Sequence, residues 1–409
     1  MTIPRNPAPP GGPADGGPGA PPVPPPPYGA DKPRRAQAPR VGAVVVGGVV
    51  GGSVGLLGAS GRLPHTGSSA VFLIVLGMLA GVAVSTLLLA LAAALTGALS
   101  PLYASVGVGR WLGSLRVGGV LVTVRLLPLV PFNPCLAAVR RPGLRGRLWG
   151  AVAGSTLLTL AAAVCLGLSG DGAVAALGWG MGVMTLVMSV SGLNRPLSRG
   201  WVLWRLPTRA GAEALPEWAA DPATLRAARL LAQGRVAAAA AELDAAAPAD
   251  GARRPAVAAA VAVAAGRFDE AARAAHASAA AASAPALRTA ALATYAGALG
   301  GGVATRLWAP EEARAGFAAA VASIRAHQPV VLQVTAVGAL ESLFAGDLAQ
   351  AVLRAGKAAS LAPDAFSRAQ AFAVQAVALR AGSRPHEAAK ALAKAHRLAP
   401  DAELLAPAG

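Results

Sequence analysis

From Val71 to Leu99 the chain carries no charged residue. A helix that crosses a bilayer needs about 20 predominantly apolar residues. A helix is also one of the two backbone forms that satisfy every N–H and C=O without water. The stretch therefore predicts a transmembrane helix. Three other apolar runs repeat the pattern, at Val41–Ala59, Leu148–Leu168 and Val174–Leu193. A mean hydropathy of +0.53 and only 13% charged residues fit a membrane protein better than an ordinary soluble one.

The charge is uneven. Residues 1–212 hold 17 Lys+Arg against 3 Asp+Glu, so they carry most of the net +17. Basic residues mark cytoplasmic loops. Here they precede the first run, fill Ser100–Arg147 with seven arginines and no acid, and follow the fourth run at Arg195, Arg199, Arg205 and Arg209. This pattern predicts four spans with both termini cytoplasmic, in a cell (plasma) membrane. An excess of Arg over Lys, with abundant Ala, Gly and Pro, matches a high-GC bacterial genome. The arginines lie in loops beside spans and no nucleic-acid module is visible, which argues against a nucleic-acid partner. Two cysteines, Cys135 in a loop and Cys165 in a span, make no disulfide framework.

Glycines at 47, 51 and 55, and Gly77, Gly81 and Ser85, have the small-residue spacing that lets membrane helices approach closely. Tyr103, Trp111, Trp149, Trp201, Trp204 and Trp218 flank apolar runs, as interfacial anchors do. Residues 1–40 are dominated by Pro, Gly and Ala and predict a disordered tail, with Pro24–Pro27 favouring polyproline II.

After the uncharged run comes a basic segment rich in Gly and Val. Val117–Arg125 within it reads as strand. The order of pieces here resembles the core of the site-2 protease family, the membrane-embedded zinc metalloproteases. In that family a membrane helix bearing H-E-x-G-H is followed by a β-hairpin and a segment like L-R-L-L-P-L. Val124-Arg125-Leu126-Leu127-Pro128-Leu129 is similar to that last piece. Arg141–Ser155 resembles the family's basic lead-in to its A-G-P helix. Asn194, Pro196 and Ser198–Trp201 stand where the family has N-x-x-P and Asp-Gly. The resemblance implies a zinc site, yet its ligands do not carry over. With Gly97 on the motif's glycine, the His, Glu and His positions hold Ala94, Leu95 and Ala98, and Arg199 stands at the Asp position. A hydrolytic zinc needs nitrogen, sulfur or carboxylate donors and a general base. Residues 66–212 contain no His, no Glu and one Asp, Asp171. No catalytic, cofactor-binding or metal residue is therefore assigned, and no cofactor. Ser53, Ser85, Ser155, Ser189 and Ser191 have no basic partner in any span that could activate a nucleophile.

Residues 213–409 read differently, as alanine-rich helices separated by breakers. Helix pairs are predicted at 222–233 with 235–247, 256–265 with 269–282, 330–345 with 347–361 and 366–381 with 385–398. The breaks fall at Gly234, Gly266, Gly346 and Gly382. Leu361-Ala362-Pro363-Asp364 recurs as Leu398-Ala399-Pro400-Asp401. A helix–turn–helix unit with a period near 34 resembles tetratricopeptide repeats. The middle unit, about 286–327, reads as irregular, with Gly300–Gly302 and Pro310 holding its helices far apart.

The expected fold class is mainly α. It comprises a disordered tail (1–40), a four-span membrane domain with a small β-hairpin (41–212) and a cytoplasmic α-solenoid of tetratricopeptide-like pairs (213–409). The expected function is a non-catalytic, site-2-protease-like membrane protein. It would hold a transmembrane client in the membrane core and recruit soluble proteins through the repeats, with the lipid bilayer as a further partner. The alternatives are a repeat scaffold whose membrane part is only an anchor, and an intramembrane peptidase working through an unidentified site.

Overall fold

The structure, a computed structural model, describes residues 67–127, 133–246 and 253–403. The tail at 1–40 and the span expected over Val41–Ala59 lie outside the described residues. Among the described residues three helices are long and apolar enough to cross a membrane. They are α1 (Gly67–Thr96), α2 (Leu144–Gly167) and α3 (Gly172–Val190).

Glycine sets their packing. A Cβ on Gly77 would collide with the Leu177 carbonyl, and one on Gly81 would press on the Met181 backbone, so α1 and α3 lie side by side in the same direction. α2 runs against α3, with Gly167 under the Trp179 ring and Gly182 facing Ala163. Small residues let backbones approach where lipid supplies no hydrophobic drive between helices. Buried hydroxyls turn inward: Thr156, Thr185 and Ser189 each donate to the carbonyl four residues earlier, at 2.7, 2.8 and 2.8 Å. Asp171, the one acid of the region, caps α3 by accepting from the Ala173 and Val174 amides.

α1 ends at Thr96 rather than running to Leu99, because Gly97 adopts φ +62° and the chain turns into a strand. The expected hairpin is part of a larger mixed sheet of five strands. They are β1 (Leu99–Val106), β2 (Val108–Val117), β3 (Val120–Leu127), β4 (Asn133–Val139) and β5 (Ala219–Ala220), in the order β2-β3-β1-β4-β5. β2 and β3 form the hairpin, and Gly118 and Gly119 between them take φ +56° and +75°. Those left-handed angles suit the tight turn between right-twisted strands. β1 lies parallel to β3 and antiparallel to β4, and β5 adds in parallel beside β4. Cys135 is thus a strand residue.

α4 (Arg209–Trp218) and β5 carry the chain across the expected boundary at 212/213 into the helical part. There α5 (Pro222–Ala232) pairs with α6 (Val236–Ala245), α7 (Arg253–Ala264) with α8 (Phe268–Ala281), and α9 (Pro285–Ala304) with α10 (Pro310–His327). The helix expected over 330–345 breaks at Thr335, which is extended, into α11 (Val331–Val334) and α12 (Val337–Phe344). These precede α13 (Leu348–Leu361). α14 (Ala365–Ala381) pairs with α15 (Pro385–Leu398).

All five pairs close their turns alike. The amide after a left-handed residue donates to the carbonyl five positions earlier: Arg235 to Leu230, Arg267 to Ala262, Leu307 to Gly302, Asp347 to Ser342 and Arg384 to Leu379. This is the Schellman closure. Gly234, Gly266 and Gly346 supply the positive φ, and in the last pair Ser383 does so in place of Gly382. The middle pair is therefore an ordinary one. Gly300–Gly302 lie inside α9, where they make room for Leu340, Phe268 and Trp308. The last pair returns to the first two: Leu398 O sits against Gly234, and the Glu403 amide donates to Ala264 O at 3.0 Å. One apolar core, from Ala227 to Ala402, runs through the pairs.

Candidate functional site

The four positions taken from the resemblance do not converge. Ala94 and Leu95 face away from the bundle, Leu95 with 79% of its surface exposed. Ala98 is buried with Trp201 and Val202. Arg199 instead reaches Ser85, donating from Nη2 to its carbonyl at 3.0 Å. Ser85 precedes Ala94 by nine residues, about 13 Å along a helix. The Ser85 hydroxyl and Arg199 Nη1 are buried without a hydrogen-bond partner among the described residues.

The residues that the fold does bring together lie where the sheet meets the helices. Side chains alternate along a strand, so Tyr103, Leu121, Thr123, Arg125 and Cys135 share the face turned to the helices. Thr123 donates to Pro363 O at 3.1 Å. The Arg125 guanidinium donates to Leu361 O at 2.8 Å and to Ser360 O and Ala362 O at 3.3 Å each, and it also holds Gly109 O of β2 at 3.0 Å. These carbonyls end α13, where the helix leaves acceptors unpaired and its dipole favours a cation. Arg368 completes the end, donating to Ala359 O at 3.1 Å and Ala362 O at 2.8 Å while lying 4.3 Å above the Trp111 ring. Elsewhere Arg229 holds the Ser100 hydroxyl at 2.5 Å, and Gln233 donates to Gly119 O at 2.6 Å. The sheet is thus bound to α5, the turn after α13, and α14.

Burial shapes the protonation of this junction. Asp364 caps α14 through the Ser367 amide and hydroxyl, both at 2.8 Å. Its carboxyl is nonetheless pushed above the usual range by burial, which outweighs those bonds and the nearby Arg368. Burial pushes Arg368 down to about 10, with Asp364 pulling the other way. Tyr103 and Cys135 face each other and burial raises both, so this thiol lacks thiolate character at neutral pH.

Comparison with protein-family models, with curated proteins and with solved structures yields no match to this chain.

Among the described residues no three His, Cys, Asp or Glu side chains gather as a metal-binding group. The His276 ring lies tilted against Tyr295, centroids 6.2 Å apart, and His327 bonds to Ser323 O. Of the expected aromatic anchors, Trp149 in the first turns of α2 and Trp204 are exposed, whereas Trp201 is buried and Trp111 and Trp218 lie under Arg368 and Arg253. Arg125 was visible in the sequence as part of the family-like segment. Arg368 was not: an arginine in an amphipathic alanine-rich helix gives no sign of full burial. Asp364, noted in the sequence only as part of the recurring Leu-Ala-Pro-Asp, caps α14.

Proposed function

We propose that this chain is a non-catalytic membrane adaptor of site-2-protease-like descent. Its spans and sheet hold a transmembrane client, and its helical pairs, read as a tetratricopeptide-like solenoid, present a soluble partner to that client. In this reading a fourth span precedes α1 and both termini are cytoplasmic. Ala94, Leu95, Ala98 and Arg199 offer no zinc ligand, which supports a binding role over hydrolysis.

The observation that carries the reading is the joint made by the Thr123 and Arg125 hydrogen bonds and by Arg368 over the Trp111 ring. A bundle serving only as an anchor needs a tether, not a sheet bonded to three parts of the array. A joined body suits an adaptor that must hold two partners in a set relation.

Photo-crosslinking residues placed in the full chain in cells test this. One goes at Leu91 on α1 and one at Leu158 on α2, both exposed on the bundle. A third goes at Leu353, exposed on α13. The adaptor reading expects a membrane protein from the bundle positions and a soluble protein from Leu353. Capture from Leu353 alone would leave the bundle as an anchor. Cleavage of a captured client by the purified protein would restore the peptidase reading.

A further inference from the structure

A cleft of about 690 Å³ opens where the β2 edge of the sheet meets α13, α14 and α15. Its walls are apolar and its rim is cationic. Trp111, Leu112 and Leu126 form the sheet side, and Phe372 forms part of the helix side. Arg110, Lys394 and Arg397 supply three positive charges, and no acidic residue lines the cleft. None of the three takes part in an ion pair among the described residues, although seven pairs form elsewhere. Lys394 lies 5.5 Å from the Phe372 ring centroid. The Trp111 wall is fixed, held under Arg368 and through its indole N–H to Ser114 Oγ at 3.1 Å.

Two further features say what such a cleft suits. The α13 carbonyls beside it are already taken by Arg125 and Arg368, so they leave the positive field of the rim uncompensated. Leu126 belongs to the sheet face turned away from the helices. That face continues through Val124, Val122, Val120, Leu115 and Val117 without a charge, and Leu126, Leu115 and Val117 are about half exposed. The cleft therefore opens onto an uncharged apolar strip joined by β1 and β4 to the ends of α1 and α2. A ligand that matches all of this has an anionic head for the three cations and hydrocarbon for the strip.

We propose that this cleft binds an anionic phospholipid of the membrane in which the protein sits, with the phosphate among Arg110, Lys394 and Arg397 and acyl chains along Leu112 and Leu126. The site does not depend on the client or on the soluble partner. Each Lys or Arg near an anionic surface strengthens attachment by roughly 1 kcal/mol, so three together correspond to about a hundredfold in affinity.

The test uses the full chain in detergent with phosphatidylglycerol and phosphatidylcholine supplied together, read by native mass spectrometry. One phosphatidylglycerol is expected to be retained in preference to phosphatidylcholine. The triple variant R110Q/K394Q/R397Q should lose that preference by about a hundredfold, while R116Q, on the same strand but outside the cleft, should keep it. Equal retention of the two lipids would overturn the proposal. So would an unchanged triple variant, or the same loss in R116Q, which would reduce the effect to general surface charge. Glycerol phosphate is the competitor: displacement of the lipid at similar concentration would show that the cleft reads a free phosphate instead.

Discussion

Replacing Arg125 with Met isolates the joint between the sheet and the helical pairs. The substitution keeps much of the aliphatic stem and removes the guanidinium. Its shortest bond to the array is the 2.8 Å contact with Leu361 O; the two at 3.3 Å are marginal. A hydrogen bond from a charged donor contributes about 1.5–3 kcal/mol net, and a cation at a helix C-terminus adds roughly 0.3–1 kcal/mol. Arg125 is partly exposed, so solvent screening favours the lower end, about 2 kcal/mol for R125M. That energy holds the sheet on α13 rather than the array together. The expected result is local: amide exchange in β3 and the last turn of α13 should accelerate by about thirtyfold, while exchange in α7 to α10 stays unchanged. R125K should fall between, because a lysine offers one point charge and no planar fork. Exchange in R125M within about threefold of the parent would refute the reasoning, since the joint would then rest on Thr123, Arg368 and apolar contact.

Four other substitutions probe separate parts of the fold. Gly77→Leu should lower the melting temperature in detergent markedly, because any side chain there meets the Leu177 backbone, whereas Gly154→Leu, with open space around it, should leave it nearly unchanged. Gly301→Ala should destabilise the helical array by about 1–3 kcal/mol in a denaturant titration, since the new methyl strikes the buried Phe268 ring; intrinsic helix propensity alone argues for a gain of about 1 kcal/mol, so the sign decides which effect governs. For Asp364→Asn the prediction concerns pH. The folded carboxyl sits above its unfolded value near 3.8, so the folded state binds the proton more tightly and the parent loses stability as pH rises from about 4 towards the folded pKa. The Asn variant lacks that slope and should gain on the parent over the same window in unfolding measurements; a gain for the parent would mean that the ionised carboxylate is stabilised by Arg368.

Local chemistry made much of this molecule legible. Three of the expected spans are found as long apolar helices, and only their ends moved: Gly97 stops α1 early and Asp171 starts α3 early. The strand expected over Val117–Arg125 is found only from Val120, because Gly118 and Gly119 form the turn before it. Gly234, Gly266 and Gly346 marked helix breaks whose positive φ the structure contains. Such signals survive in sequence because each depends on residues a few positions apart. What the tertiary structure alone decided joins distant parts. β1 pairs in parallel with β3, and β5 adds to the sheet from beyond α3. Gly300–Gly302 read as a helix breaker, yet they lie inside α9 because Leu340 and Phe268 from other helices and Trp308 from the following turn need the space. Arg368 is fully buried because Trp111 and the end of α13 converge on it from opposite halves of the chain. Periodicity and turn chemistry report what a segment can form, while these contacts depend on which surfaces meet once all the segments have formed.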